Sequence, residues 1–167
     1  MASQYAQYTH LTQLQELLEN NPTLRASVAR DYQVTTDVYV GVRHRGVDGD
    51  RPPFLHAAIS SKFTIRSDRV QNVRHEFNTL VRNRRGRTPH LILVTAEPLP
   101  SRLTSITRGT GEVDAVYHVL YDELDAAVRR VCEENPKLQT QLDDWVEMVE
   151  QKRLRPYSEL VTDLITT

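Results

Sequence analysis

Between Phe54 and Thr95 the hydrophobic period changes twice, and the order of those changes leaves few folds open. Phe54 to Phe63 reads as a strand. Beyond it Val70, Val73, Phe77, Leu80 and Val81 recur at helical spacing and make one apolar stripe. His90-Leu91-Ile92-Leu93-Val94-Thr95 then forms a continuous apolar run, the pattern of a strand buried on both faces. Strand, helix and buried strand within about forty residues make a βαβ crossover, which places helices against a sheet. Ser67 is expected to cap the helix, Asp68 suits its first turn, and Gly86 is a C-terminal stop after the basic run Arg82 to Arg87.

The flanking segments extend this unit. His10 to Arg30 predicts helix on Leu11, Leu14, Leu17 and Leu18, broken at Asn20-Asn21-Pro22, with a second short helix through Val28. Val34 to Val42 predicts a strand that pairs with Phe54–Phe63 in a hairpin-like unit across the loop His44 to Pro53. Pro98 and Pro100 break the chain before a short helix around Leu103, and Val113 to Leu120 predicts one more strand. From Asp122 onward the chain reads as acidic helix, interrupted near Asn135-Pro136 and Arg155-Pro156. The expected class is α/β: a mixed β-sheet flanked by helices, in one domain over residues 1–167.

Composition excludes several roles. No run of 18 or more apolar residues is present, and the N-terminus lacks the basic and apolar regions of a signal peptide. A single cysteine, Cys132, points to a reducing, cytoplasmic setting. No G-x-x-x-x-G-K-[ST], G-x-S-x-G or H-E-x-x-H motif occurs, and none of the six histidines pairs with cysteine at zinc-ligand spacing. A net charge of −1 conceals an asymmetry: eight basic residues lie between Lys62 and Arg87 against two acids, whereas Glu112 to the end holds thirteen acids against six bases. Charge runs are commonly solvated helix faces, but this one adjoins a constellation of chemically apt residues.

Asp37 is expected on the first strand and Lys62 at the end of the second, with Glu76 on the following helix. Paired as proposed, the three converge at one end of the sheet. Two carboxylates can hold Mg²⁺ through oxygens, and a lysine can orient or help deprotonate a water attacking a phosphodiester. The competing reading is a buried Asp37–Lys62 salt bridge beside a solvated Glu76. Arg66, Asp68 and Arg69 at the helix start favour the former. Arginine bonds bidentately to guanine O6 and N7, and aspartate accepts from cytosine N4, so the triplet is a sensible reader of adjacent G·C pairs. An Arg-Asp-Arg surface ion-pair cluster is the alternative.

Residues 60–69 (Ser60-Ser61-Lys62-Phe63-Thr64-Ile65-Arg66-Ser67-Asp68-Arg69) resemble the NgoMIV family of type II restriction endonucleases, a branch of the PD-(D/E)XK nucleases. So do the stretches Val81–Arg87, Val94–Arg102, Gly109–His118 and Gln7–Thr12. The resemblance implies a restriction-endonuclease-like core that cuts double-stranded DNA at palindromes with a CCGG core, GCCGGC-like, leaving 5′ overhangs. By that resemblance Asp37 and Glu76 bind Mg²⁺ with the backbone carbonyl of Ser61, and Lys62 is the catalytic lysine. Ser60 stands where most such nucleases place a second acid, a role Glu76 takes over. Arg66, Asp68 and Arg69 match the readers of the core, and Arg102 the reader of the outer base pair. Arg82, Arg84, Arg85 and Arg87 are candidates for phosphate contacts.

The pattern departs from the family at Thr36, where a proline is usual, and at Ser61, where a cysteine is usual. The family's N-terminal third has no counterpart before Tyr5, and the interval from Asp37 to Lys62 is shortened. That interval helps join the family's dimers into tetramers, so the expectation is a homodimer. The alternatives are a cleavage-deficient DNA-binding module or remnant, or one piece of a split enzyme whose missing region is supplied by a separate polypeptide.

Overall fold

A computed structural model describes residues 1–28, 35–43, 51–109 and 111–166. Five strands form a mixed sheet in the order β1-β2-β3-β4-β5: β1 Val38–Val42, β2 Phe54–Lys62, β3 His90–Thr95, β4 Ala115–His118 and β5 Leu154–Pro156. The helices are α1 Thr9–Glu19, α2 Pro22–Ser27, α3 Ser67–Asn83, α4 Pro100–Thr107, α5 Tyr121–Glu134, α6 Gln139–Glu150 and α7 Leu160–Thr166. The chain divides into two compact units, one of Met1–Ala58 with His75–His90, the other of Ile59–Arg74 with Leu91–Thr167. Both β2 and α3 run from one unit into the other.

In the first unit the core gathers Tyr8, Leu11, Leu18, Leu55, Ala57, Phe77 and Leu80, all buried. The Tyr8 hydroxyl donates to the Leu80 carbonyl at 3.1 Å, and burial pushes that phenol up to about 12. Asn21 caps α2 by accepting from the Leu24 amide at 3.2 Å, with Pro22 at the first helical position, as the Asn-Pro break implied. The expected strand from Val34 begins instead at Val38; Val34 and the loop residues His44–Asp50 lie outside the described residues.

The second unit is built on the parallel pairs β3–β4 and β4–β5. Asp114 sets the first register: its amide donates to the Leu91 carbonyl at 2.8 Å and its carboxylate accepts from the Leu91 amide at 2.7 Å. Leu91, Leu93, Val116 and Leu154 are fully buried along these strands, and α4 packs on α6, where the Thr104 hydroxyl lies 3.7 Å from the Met148 sulfur. Trp145 is fully buried, and its indole N–H donates to Asp125 at 2.7 Å. Cys132 is buried and free, as a structural residue should be. The strand β5 falls where a helix interruption was expected. It spans three residues at the sheet edge, the place in a sheet where a proline such as Pro156 is tolerated.

Helix α3 follows its expected stripe, with Val70, Val73, Phe77 and Leu80 buried. Its start differs by one residue. Ser67 is already helical, and the first intrahelical bond runs from the Val70 amide to the Arg66 carbonyl at 2.9 Å, so Arg66 occupies the capping position. Gly86 has φ of 104°, the left-handed conformation expected of the turn beyond the helix.

Candidate functional site

The second unit holds most of the residues singled out by the sequence. β2 ends with Ser60 fully buried, Ser61 exposed and Lys62 half-buried. Immediately afterwards the backbone is fastened to the end of β3, where the Phe63 carbonyl accepts from the Ala96 amide at 3.1 Å and from the Thr95 hydroxyl at 3.4 Å. Ile65 is buried and its amide donates to a Glu97 carboxylate oxygen at 2.6 Å. The Arg69 guanidinium folds back on the same segment, Nη1 donating to the Thr64 carbonyl at 3.0 Å and hydroxyl at 2.9 Å. Three attachments therefore fix the short connection between Lys62 and α3. Arg66 and Asp68 are exposed above it; Arg69 is half-buried, with the rest of its five-donor fork outside these two bonds.

Glu97 was not singled out from the sequence. It lies just beyond β3 and is 0% exposed. One carboxylate oxygen takes the Ile65 amide and, at 3.4 Å, Nη1 of Arg102; the other takes the Leu99 amide at 3.2 Å. The Glu97 amide donates to the Thr95 hydroxyl at 3.2 Å. Its carbonyl meets Nε2 of buried His118 at 3.0 Å, while the Leu120 amide donates to Nδ1 of that ring at 3.2 Å. These two bonds select the neutral tautomer with its proton on Nε2. Burial, the largest influence, holds the His118 pKa below its usual value. Arg102, in the first turn of α4, keeps nearly half of its side chain exposed while tethered to this buried carboxylate. A carboxylate directly after a both-faces-buried strand was the available signal, because such a charge needs donors.

The first unit holds the two candidate carboxylate ligands, Asp37 and Glu76. Asp37 was expected on a strand between β-branched neighbours; it lies instead in the bend ahead of β1 and is exposed, because the strand begins one residue later. Next to it the Thr36 amide donates to the Tyr39 hydroxyl at 3.1 Å. The Tyr39 phenol titrates above its ordinary value, chiefly through burial, and the charge of Glu76 adds to the effect. Both carboxylates thus belong to the surroundings of Tyr39. Among the described residues no group of three or more His, Cys, Asp or Glu side chains is placed to hold a metal ion. Two carboxylates supply hard oxygen donors that suit Mg²⁺, an ion that retains several waters and takes one or two carboxylates from a protein.

The basic turn after α3 is in the same unit. The Arg85 amide donates to the Gln7 carbonyl at 2.9 Å, and the Arg87 carbonyl accepts from the Gln7 side chain at 3.4 Å. Arg82, Arg85 and Arg87 are exposed. Arg84 is half-buried, with Nη1 turned back onto the Val81 carbonyl, so its guanidinium is partly committed to the turn.

Comparison with known proteins adds a second line. A family model described as the NgoMIV restriction enzyme matches residues 1–45 and 41–166. The type II restriction enzyme NgoMIV of Neisseria gonorrhoeae is 42% identical over 185 aligned positions, which cover 97% of this chain and 63% of that protein. The chain therefore spans less than two thirds of the length of this curated relative. The family match divides at residues 41–45, inside the interval from Asp37 to Lys62 that the sequence marked as shortened. Among solved structures, a restriction endonuclease PspGI–substrate DNA complex aligns at 16% identity over 80% of this chain and 54% of that chain, with a TM-score of 0.41. Among the described residues no helix is long and apolar enough to cross a membrane.

Proposed function

The chain belongs to the NgoMIV restriction enzyme family, and from that premise we propose that it is a Mg²⁺-dependent, sequence-specific double-strand DNA endonuclease. Its site is a palindrome with a CCGG core, GCCGGC-like, cut to leave 5′ overhangs. The observation that carries the reading is the anchored segment Phe63–Arg69, which follows Lys62 directly and presents Arg66 and Asp68 to solvent.

In this reading Arg66 and Arg69 bond to guanine and Asp68 accepts from cytosine N4, each good contact giving roughly 1–3 kcal/mol of discrimination. Arg102 reads the outer base pair. Exposed Arg82, Arg85 and Arg87 contact phosphates, with Arg84 contributing less because it is turned toward Val81. Asp37 and Glu76 are the side chains to hold Mg²⁺, with the Ser61 carbonyl assigned to the same shell by the family pattern. When bound, such an ion lowers the pKa of its water and offsets phosphate charge. Lys62 orients the attacking water and stabilises charge developing on the phosphate oxygens. Ser60 has no acid to offer and is buried, which leaves the second carboxylate to Glu76. A palindrome calls for one subunit per half-site, hence a homodimer.

Incubating the chain with supercoiled plasmid bearing GCCGGC and ACCGGT sites, in Mg²⁺ or in EDTA, tests the reading. Discrete Mg²⁺-dependent fragments are expected, and Lys62→Ala should abolish them. Salt-sensitive binding to a CCGG duplex without cleavage would replace the reading with that of a DNA-binding module or of one piece of a split enzyme. Absence of both binding and cleavage would refute it for this chain alone.

A further inference from the structure

We infer that Glu97 is a positioning residue that couples Arg102 to the segment carrying Arg66, Asp68 and Arg69, so that outer and inner base pairs are read by one rigid assembly. This rests on the functional reading above and extends it to a residue that touches no DNA.

The geometry is specific to one oxygen. Oε2 of Glu97 accepts the Ile65 amide at 2.6 Å and Nη1 of Arg102 at 3.4 Å, so the residue before Arg66 and the guanidinium of Arg102 share a single acceptor. Neither can shift without moving the other or leaving the oxygen short of a donor. The other oxygen holds the Leu99 amide at 3.2 Å, at the start of the helix that carries Arg102. Glu97 is itself held from below by Thr95 and His118.

A backbone clamp alone does not account for a charge here. A fully buried carboxylate carries a large desolvation penalty, and a neutral amide oxygen could accept the Ile65 amide without it. The group that benefits from a full negative charge is the Arg102 guanidinium. Its remaining donors are directed by that ion pair, and its side chain is still 46% exposed. A carboxylate that holds an arginine by one nitrogen leaves the rest of the planar fork to a base edge.

The test uses the full chain as wild type, Glu97→Gln, Arg102→Ala and the double variant. Labelled duplexes carry CCGG flanked by G·C or by A·T, with a scrambled-core duplex as reference. Glutamine preserves size and one acceptor for Ile65 while removing the charge. Preference between the two flanking pairs should fall about tenfold in Glu97→Gln, with preference for the core changing less than about twofold. In the Arg102→Ala background Glu97→Gln should add nothing, the non-additivity of residues acting through one another. A merely structural Glu97 would instead lower melting temperature and weaken all duplexes alike, and that result would overturn the inference. Unchanged flanking preference in Glu97→Gln, or a wild type that prefers CCGG without distinguishing its flanks, would do the same. A wild type with no preference for CCGG over the scrambled core would remove the functional reading and the inference together. Should Glu97→Gln not fold, amide exchange at Ile65 decides. The flanking-G·C duplex should slow it about tenfold more in wild type than in Arg102→Ala, and equal slowing would overturn the coupling.

Discussion

Gln7→Ala should be among the most damaging single substitutions in the first unit, although Gln7 sits in a short 3₁₀ turn near the N-terminus. The side chain is 1% exposed and substitutes for a neighbouring strand: Nε2 donates to the Leu55 carbonyl and Oε1 accepts from the Leu55 amide, both at 2.8 Å. Leu55 is itself fully buried, so alanine leaves one donor and one acceptor of β2 with nothing to replace them. Each unsatisfied buried group costs about 1–3 kcal/mol, which makes the expected loss about 2–6 kcal/mol. For a chain of this size that is a fall in Tm of roughly 4–24 °C. Urea unfolding followed by far-UV circular dichroism gives the free energy, and amide exchange at Leu55 reports the site. Gln7→Glu separates hydrogen bonding from packing: it preserves volume but sets a carboxylate oxygen against the Leu55 carbonyl, so it should be no better than alanine. Exposed Gln15, whose amide bonds Glu19 at 3.0 Å, supplies the control, with Gln15→Ala expected within about 0.5 kcal/mol of wild type. A Gln7→Ala loss under about 1 kcal/mol with the Leu55 amide still protected would refute the reasoning.

Gly41→Ala should perturb the N-terminal packing, because an added Cβ would come within 2.7 Å of the Tyr5 ring, which itself lies against Tyr39; a loss of about 1–3 kcal/mol and an altered near-ultraviolet dichroism spectrum are expected. His118 should make the second unit acid-labile. Its folded pKa is depressed, so the unfolded chain binds the proton more readily, and stability is full above about pH 6.5 and falls as the pH drops below it. Replacing His118 by Gln should flatten that part of the pH profile, measured by urea unfolding at several pH values. In DNA binding, Arg85→Ala should reduce the slope of log affinity against log salt by about 0.9, the value of one lost phosphate contact, and Arg84→Ala should reduce it less.

The parts of the fold that were legible are those whose own period identifies them. The stripe Val70, Val73, Phe77 and Leu80 and the unbroken run of β3 each bury the residues that the pattern selects. β5 shows the limit. Leu154-Arg155-Pro156 has no alternation to read, and it is a strand only because β4 offers it a parallel partner, Val116 against Leu154 through His118 against Pro156. Asp37 shows another limit. A displacement of one residue at the start of β1 turns an expected strand aspartate into an exposed one at a bend. The cap at Arg66 in place of Ser67 is the same kind of error, smaller in consequence because both lie at the positive end of α3.

The candidate site was legible only on its outward side. Arg66 and Asp68 declare themselves because their chemistry suits base edges, and Arg102 entered through the family resemblance, whereas Glu97 matches nothing outside the protein. Its partners are a backbone amide 32 residues earlier and an arginine five residues later, and a backbone amide has no side chain for a pattern to detect. The same is true of the Thr64 groups that receive Arg69. What these hidden contacts supply is order. Side chains and loops that must be immobilised on binding each cost about 0.5–1.5 kcal/mol, and a segment already held by Ala96, Glu97 and its own Arg69 avoids much of that cost. In the proposed reading, selectivity depends on the scaffold under Arg66, Asp68 and Arg102 as much as on those residues themselves. A variant that keeps Arg66, Asp68 and Arg102 but loosens the end of β3 should still bind DNA through its charge, yet distinguish base pairs poorly.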